Sequence, residues 1–171
     1  MNEQFIETWQ IHNRINLYLL EAIKPEALAG IASSKGRTVA EQFAHVHNVR
    51  LMWFKSAAPD LLAQVTKIEK ENANDLSLLK NSLLASGAAM AEMLKRSLET
   101  DGRIKGFKPH AIAFLGYIIA HESHHRGQIA LTLKQSGHPL DKKTSFGLWE
   151  WEPVENDYDD CSSYDLFCCP C

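Results

Sequence analysis

Apolar residues recur three and four positions apart in four long stretches of the chain, and more polar stretches separate them. Such spacing is typical of amphipathic helices, which bury one face. The first stretch runs from residue 2 to about residue 22 and ends before Pro25, because the residue preceding a proline disfavours helical backbone. The second begins at Thr38, where Thr-Val-Ala-Glu forms a capping box, and extends to about Ser56. Both stretches are predicted to be helices.

Two longer helices are predicted in the second half of the chain. One begins at a cap, Asp75 or Ser77, and ends near Leu98 before an Asp-Gly pair. The other covers residues 108–136 and stops before a glycine. No stretch of any length alternates between apolar and polar residues as a strand would. The chain is therefore predicted to be all-α, a four-helix bundle with an irregular C-terminal segment.

The segments outside these helices carry weaker patterns. A short helix is expected at residues 61–69, and the aromatic-rich residues 137–151 are expected to pack back across the helices. Residues 1–151 are thus predicted to form one domain. Residues 152–171 are acidic and are predicted to be a disordered, cysteine-rich tail. All four cysteines lie in it, at a spacing that fits no standard zinc site: Cys161, Cys168, Cys169 and Cys171.

Composition argues against several classes of function. The chain has 171 residues, of which 45% are apolar and 23% are charged, as expected for one globular domain. Its net charge is −3 and its basic residues are scattered, which argues against nucleic-acid binding. No apolar run approaches the roughly 20 residues that cross a bilayer, and no signal-peptide pattern follows Met1. We therefore expect a cytoplasmic protein that binds neither nucleic acid nor membrane.

The candidate chemistry lies in the fourth predicted helix. With about 3.6 residues per turn, His121 and His125 share a face with Phe114, Ile118 and Ile129, and this apolar face should be buried. Residues four apart on a helix are neighbours, so both imidazoles can reach one cation. Burying two polar rings is costly when packing does not need them. We therefore interpret the pair as metal ligands or catalytic residues.

The same turns spell H-E-x-x-H over residues 121–125. In zinc metalloproteases this pattern supplies two ligands and a glutamate that acts as general base, which makes Glu122 a candidate catalytic residue. The sequence lacks the H-x-x-G-x-x-H extension and any predicted edge strand that could hold a peptide. A metalloprotease is therefore the less favoured interpretation.

A further ligand must come from another helix, because such sites take three or four protein ligands. His45 and His47 both lie inside the second predicted helix, and each shares a face with apolar residues. Periodicity alone does not choose between them. Three other histidines are weaker candidates, expected at the surface or around the site: His12, His110 and His138.

Two motifs carry a resemblance to a known family. They are residues 38–53, Thr-Val-Ala-Glu-Gln-Phe-Ala-His-Val-His-Asn-Val-Arg-Leu-Met-Trp, and residues 121–129, His-Glu-Ser-His-His-Arg-Gly-Gln-Ile. Together they resemble the DinB-like family of small four-helix bundle proteins, in a superfamily that includes the predicted metal-dependent hydrolases of the YfiT type. The resemblance covers roughly residues 2–151.

The resemblance implies a metal site. In the family, three histidines bind a divalent metal, usually nickel or zinc: one on the second helix, about eight residues before an aromatic residue, and two in H-x-x-x-H. Carried onto this chain, the pattern selects His45, eight residues before Trp53, together with His121 and His125. His47 is the alternative ligand. The residues expected around the site are His47, Asn48, His124, Arg126 and Gln128.

The resemblance implies a function more loosely. It implies a metal-dependent enzyme, either a hydrolase or a thiol-dependent transferase, acting on a small molecule such as a low-molecular-weight thiol. Members of the family are often homodimers, so a homodimer is expected. The alternative is a non-catalytic metal-binding or stress-response bundle. That alternative would be favoured if a fourth ligand, Glu122 or His47, closed the open coordination position.

Overall fold

Four long helices form a bundle in the computed structural model, which describes residues 2–151. The helices are α1 (Asn2–Glu21), α2 (Val39–Ala57), α3 (Pro59–Leu62), α4 (Leu76–Glu99), α5 (Ala111–Gln135) and α6 (Lys142–Gly147). The long helices α1 and α2 each pack against both α4 and α5. The described part of the chain contains no β-strand, and none of its helices has the length and apolarity needed to cross a bilayer. The prediction of an all-α, four-helix bundle is confirmed.

Side-chain caps determine where α2 and α4 begin. The hydroxyl of Thr38 accepts a hydrogen bond from the amide of Glu41 at 3.1 Å, and the Glu41 carboxylate accepts one from the amide of Thr38 at 2.9 Å. These are the two bonds of the predicted capping box. Of the two caps considered for α4, Asp75 is the one used, because its carboxylate accepts the amide of Leu78 at 3.0 Å.

Two predicted boundaries were wrong. α5 begins at Ala111 rather than at residue 108, because the ring of His110 accepts a hydrogen bond from the amide of Ala113 at 3.1 Å and so caps the helix. The short helix expected at residues 61–69 is α3, which begins at Pro59 and ends at Leu62. Proline suits the first helical turn, where no amide hydrogen bond is needed.

The aromatic-rich segment after α5 packs back only in part. Leu140 and Leu148 contact the core, whereas Trp149 is 81% exposed and Phe146 is exposed as well. The predicted cysteine-rich tail, residues 152–171, lies outside the described residues.

The core consists of two apolar clusters with a buried polar layer where they meet. One cluster includes Leu19, Phe43, Leu83 and Ile129. The other includes Trp9, Phe54, Met90 and Phe114. Along the long helices, buried polar residues fall at the boundary between these clusters: His12, Asn16, His47, Arg50, Ser86 and Glu122. The predicted site residues lie in or beside this layer.

Candidate metal centre

Three histidines from two neighbouring helices meet beside the polar layer. His121 and His125 lie one turn apart on α5, and His45 comes from α2, which packs against α5. The ring centroid of His45 lies 5.6 Å from that of His121 and 4.6 Å from that of His125. The His121 and His125 rings are 4.7 Å apart. Among the described residues, these three form a group in which one ring nitrogen from each histidine lies within 4.8 Å of the other two.

The three imidazoles favour the neutral form, because the pKa of each is lowered. Burial is the largest cause in every case. Burial and the neighbouring rings of His45 and His121 lower the pKa of His125 to about 4. After burial, the charge of Arg37 is the next cause of the lowered pKa of His45. Since only the neutral ring can bind a metal ion, these surroundings prepare the group as ligands.

The donor set fits a divalent first-row ion. Nδ1 of His121 and Nδ1 of His125 are buried and have no hydrogen-bond partner in the described structure. A buried polar atom left unpaired costs about 1–3 kcal/mol, and a cation would satisfy it. His45 and His121 are only partly buried, so the group is accessible from one side. Imidazole donors suit zinc, nickel, copper and iron.

The structure separates His45 from His47, which periodicity could not do. Nδ1 of His47 lies 3.0 Å from the hydroxyl of Ser86, and its Nε2 lies 2.9 Å from the backbone carbonyl of Thr66. Both of its ring nitrogens are therefore paired away from the three-histidine group. Asn48 is committed in the same way: its amide donates to the carbonyl of Ile68 at 2.8 Å and accepts from the amide of Ile68 at 3.0 Å.

Glu122 follows His121 in the chain, but its carboxylate turns into the core and is fully buried. Arg50 donates to both of its oxygens at 2.8 Å, and Asn16 donates to Oε2 at 2.6 Å. Nε2 of His12 lies 2.9 Å from Oε2. Burial raises the pKa of Glu122, but the charge and hydrogen bonds of Arg50 outweigh it, so the pKa lies well below its ordinary value. The catalytic role of Glu122 stays a prediction, and its contacts are those of a structural ion pair.

His12 and Arg126 belong to this Glu122 network. His12, expected at the surface or around the site, is fully buried. Arg126 donates to Oδ1 of Asn16 and to the hydroxyl of Ser123, each at 2.7 Å, and its Nη1 lies 3.3 Å from Nδ1 of His12. Sequence spacing could not show this, since the bond between His12 and Glu122 joins residues 110 positions apart.

Three further residues of α5 surround the histidine group. His124 is exposed, with its ring 5.4 Å from that of His125. Gln128 is also exposed. Its hydrogen bond with His125 raises the pKa of that ring and so offsets a small part of the lowering. Tyr117 stacks on His121, with ring centroids 6.3 Å apart and planes 22° apart. The sequence interpretation missed Tyr117, although a position one turn before His121 places it beside that ring.

Comparison with known protein families gives a match over most of the chain. A family model described as the DinB family matches residues 1–152, a range that contains all three histidines and both helices that carry them. No curated protein and no solved structure matches the chain.

Proposed function

Because the chain belongs to the DinB family, we propose that it is a metal-dependent enzyme whose ion is held by His45, His121 and His125. The observation that carries the proposal is the convergence of three imidazoles with lowered pKa values, two of which have a buried, unpaired Nδ1. Polar atoms in protein interiors are normally paired, so unpaired ones clustered together indicate a ligand.

Three protein ligands leave room for a small molecule, which is the arrangement of catalytic rather than structural sites. A divalent ion held there supplies Lewis-acid chemistry, since it lowers the pKa of a water or thiol that reaches it. We propose hydrolysis or thiol transfer as the reaction class, and nickel or zinc as the ion, following the family resemblance. The proposed substrate is a small molecule such as a low-molecular-weight thiol.

The non-catalytic alternative would be favoured by a fourth protein ligand that closes the centre. The two candidates were Glu122 and His47, and both are bonded elsewhere, to Arg50 and to Ser86 and Thr66 respectively. The hydrogen bonds that occupy Glu122 also argue against a metalloprotease, because in such an enzyme this glutamate must be free to accept a proton as the general base. The homodimer and the cytoplasmic location stay predictions.

Elemental analysis of protein purified without a histidine tag tests the metal centre. We expect about one divalent ion per wild-type chain, and loss of the ion in His45→Ala and in His125→Ala, because a ligand is removed from a three-histidine set. His47→Ala is the matched control from the same helix and should retain the ion. Wild-type protein that takes up no ion, even after incubation with nickel or zinc, would overturn the proposal.

A further inference from the structure

A small pocket of about 260 Å³ opens beside His45, on the α2 side of the three-histidine group. Its walls include Arg37, Glu41, Asn48 and Lys70 in addition to His45. A molecule that reacts at the histidine group could therefore place another of its groups in this pocket. The charges on the walls indicate what that group is.

Glu41 and Lys70 largely neutralise each other. Oε1 of Glu41 lies 3.0 Å from the ammonium of Lys70, and Oε2 accepts the amide of Thr38 at 2.9 Å. Both carboxylate oxygens are thus engaged. The amide of Asn48 is engaged at both ends with the backbone of Ile68, so Asn48 shapes the wall without offering a free donor.

Arg37 carries the positive charge that remains in the pocket after Lys70 is paired with Glu41. Its charge acts on the imidazole of His45 and, after the hydrogen bonds of Thr38 and Lys70, on the carboxylate of Glu41, whose two oxygens already accept from Thr38 and Lys70. Together with Lys70 and Glu41 it leaves the pocket with a surplus of one positive charge. A guanidinium binds carboxylate-like anions through paired donors, which gives it geometric selectivity.

The loop that carries Arg37 is anchored on both sides. The amide and hydroxyl of Ser33 donate to Oε1 of Gln135 at 3.0 and 3.1 Å, which ties the loop to the end of α5. The amide of Val39 donates to the carbonyl of Gly30 at 3.0 Å, and Thr38 caps α2. Anchoring reduces the conformational entropy that ligand binding would otherwise remove.

We propose that this pocket is the binding site for a singly charged anionic group, such as a carboxylate or sulfonate, on the substrate that reacts at the three-histidine centre. Arg37 is the residue that binds the anion. The proposal rests on the proposed function, and it narrows the substrate class to small molecules that carry an anion a short distance from the reacting atom.

The test uses nickel-loaded protein and two thiols of similar size, mercaptoethanesulfonate and neutral mercaptoethanol. Binding of each is followed by the absorption band of a nickel–thiolate bond, which is a readout independent of activity. Sulfonates coordinate metals weakly, so a preference for the anionic thiol reports on the protein. We expect wild type to bind the sulfonate about three- to tenfold more tightly at low salt, as one partly exposed charge pair allows. The preference should shrink as salt is added.

The variant Arg37→Gln should bind both thiols about equally, and Arg37→Lys should keep part of the preference. Lys35→Gln is the matched control: it removes one positive charge from the same loop, at a residue that does not line the pocket. It should keep the wild-type preference. Thiol binding with the same preference in wild type and Arg37→Gln would overturn the anion site alone. Absence of the thiolate band with either thiol would overturn the open metal centre as well.

Discussion

Two polar clusters lie on different faces of α5. In one cluster the buried polar atoms have hydrogen-bond partners, and in the other some of them have none. Glu122 and its partners form one cluster, in which the carboxylate and Arg50 are both fully buried and both carboxylate oxygens accept short hydrogen bonds. His121, the preceding residue, belongs to the other cluster, which is partly exposed and contains buried nitrogens without partners. Adjacent residues thus point into different environments, because successive side chains on a helix are about 100° apart.

This difference distinguishes buried polar groups that stabilise the fold from buried polar groups that are available to bind a ligand. A buried charge is tolerated only when a partner and hydrogen bonds offset the loss of hydration, which is the arrangement around Glu122. That network joins α1, α2 and α5, because its members are His12, Arg50 and Glu122. The two unpaired histidine nitrogens have no hydrogen-bond partner among the described residues, which is the arrangement expected where a ligand binds. We therefore infer that the paired cluster holds the helices together and that the unpaired cluster is the candidate metal centre.

The substitution Arg50→Met should have the largest effect on stability. It leaves Glu122 as a buried carboxylate without its main partner, and it also removes the bond from Arg50 to the carbonyl of Leu83 at 3.1 Å. Breaking a buried ion pair in this way costs about 3–5 kcal/mol of unfolding free energy. Urea denaturation of the metal-free protein measures the loss.

Arg96→Met is the matched control for that measurement. Arg96 also contacts two carboxylates, those of Asp60 and Glu92, but its side chain is 42% exposed, so its removal should change stability little. The double variant Arg50→Met/Glu122→Leu should recover much of the loss, since it removes the buried charge as well. An Arg50→Met loss no larger than that of Arg96→Met would contradict the structural role of the network.

Local patterns predicted the bundle and two of the three histidines of the candidate metal centre. The caps at Thr38 and Asp75 and the apolar spacing of the helices depend on neighbouring residues, so the sequence shows them directly. The pairing of His121 with His125 follows from the four-residue spacing. His45 was selected over His47 only by the family resemblance, because both lie on faces with apolar neighbours, and the bonds that occupy His47 come from α4 and a distant loop.

The Glu122 network could not be predicted, because its partners are far apart in sequence. Arg50 lies 72 residues before Glu122 and Asn16 lies 106 residues before it. The H-E-x-x-H pattern suggested that Glu122 is catalytic. A five-residue pattern does not show whether a buried arginine from another helix binds the carboxylate of that glutamate. Arg37 was missed for a related reason: it lies in a loop, where no periodicity indicates the direction of a side chain.

Lowering the pH should destabilise the metal-free protein through the histidine cluster. The folded protein lowers the pKa of His45, His121 and His125, the last to about 4, whereas the unfolded chain titrates near 6.5. The unfolded state therefore binds more protons as the pH falls through this window. Stability is full above about pH 6.5 and is lost as the pH falls toward 4.

Removing histidines from the cluster should weaken this pH dependence. Between pH 7 and 5, the double variant His121→Gln/His125→Gln should lose less unfolding free energy than wild type, measured by urea denaturation with a chelator present. The exposed His138 provides the control, and His138→Gln should behave as wild type does. The His12 and His47 pKa values are lowered as well, so part of the dependence should remain. An unchanged dependence in the double variant would contradict the lowered values in the cluster.

The smallest effect is expected at the edge of the histidine cluster, for Gln128→Ala. Hydrogen bonding by Gln128 acts against the lowered pKa of His125, so its loss should make that ring a slightly weaker base and hold it less firmly. Groups that support a ligand typically change metal affinity 10–100-fold, and Gln128 is exposed, so we expect a loss of less than about tenfold. Competition with a chromogenic chelator measures the affinity, with Gln10→Ala on α1 as the control. A loss as large as that of His125→Ala would mean that Gln128 is itself a ligand, and the cluster would then no longer be a three-histidine centre.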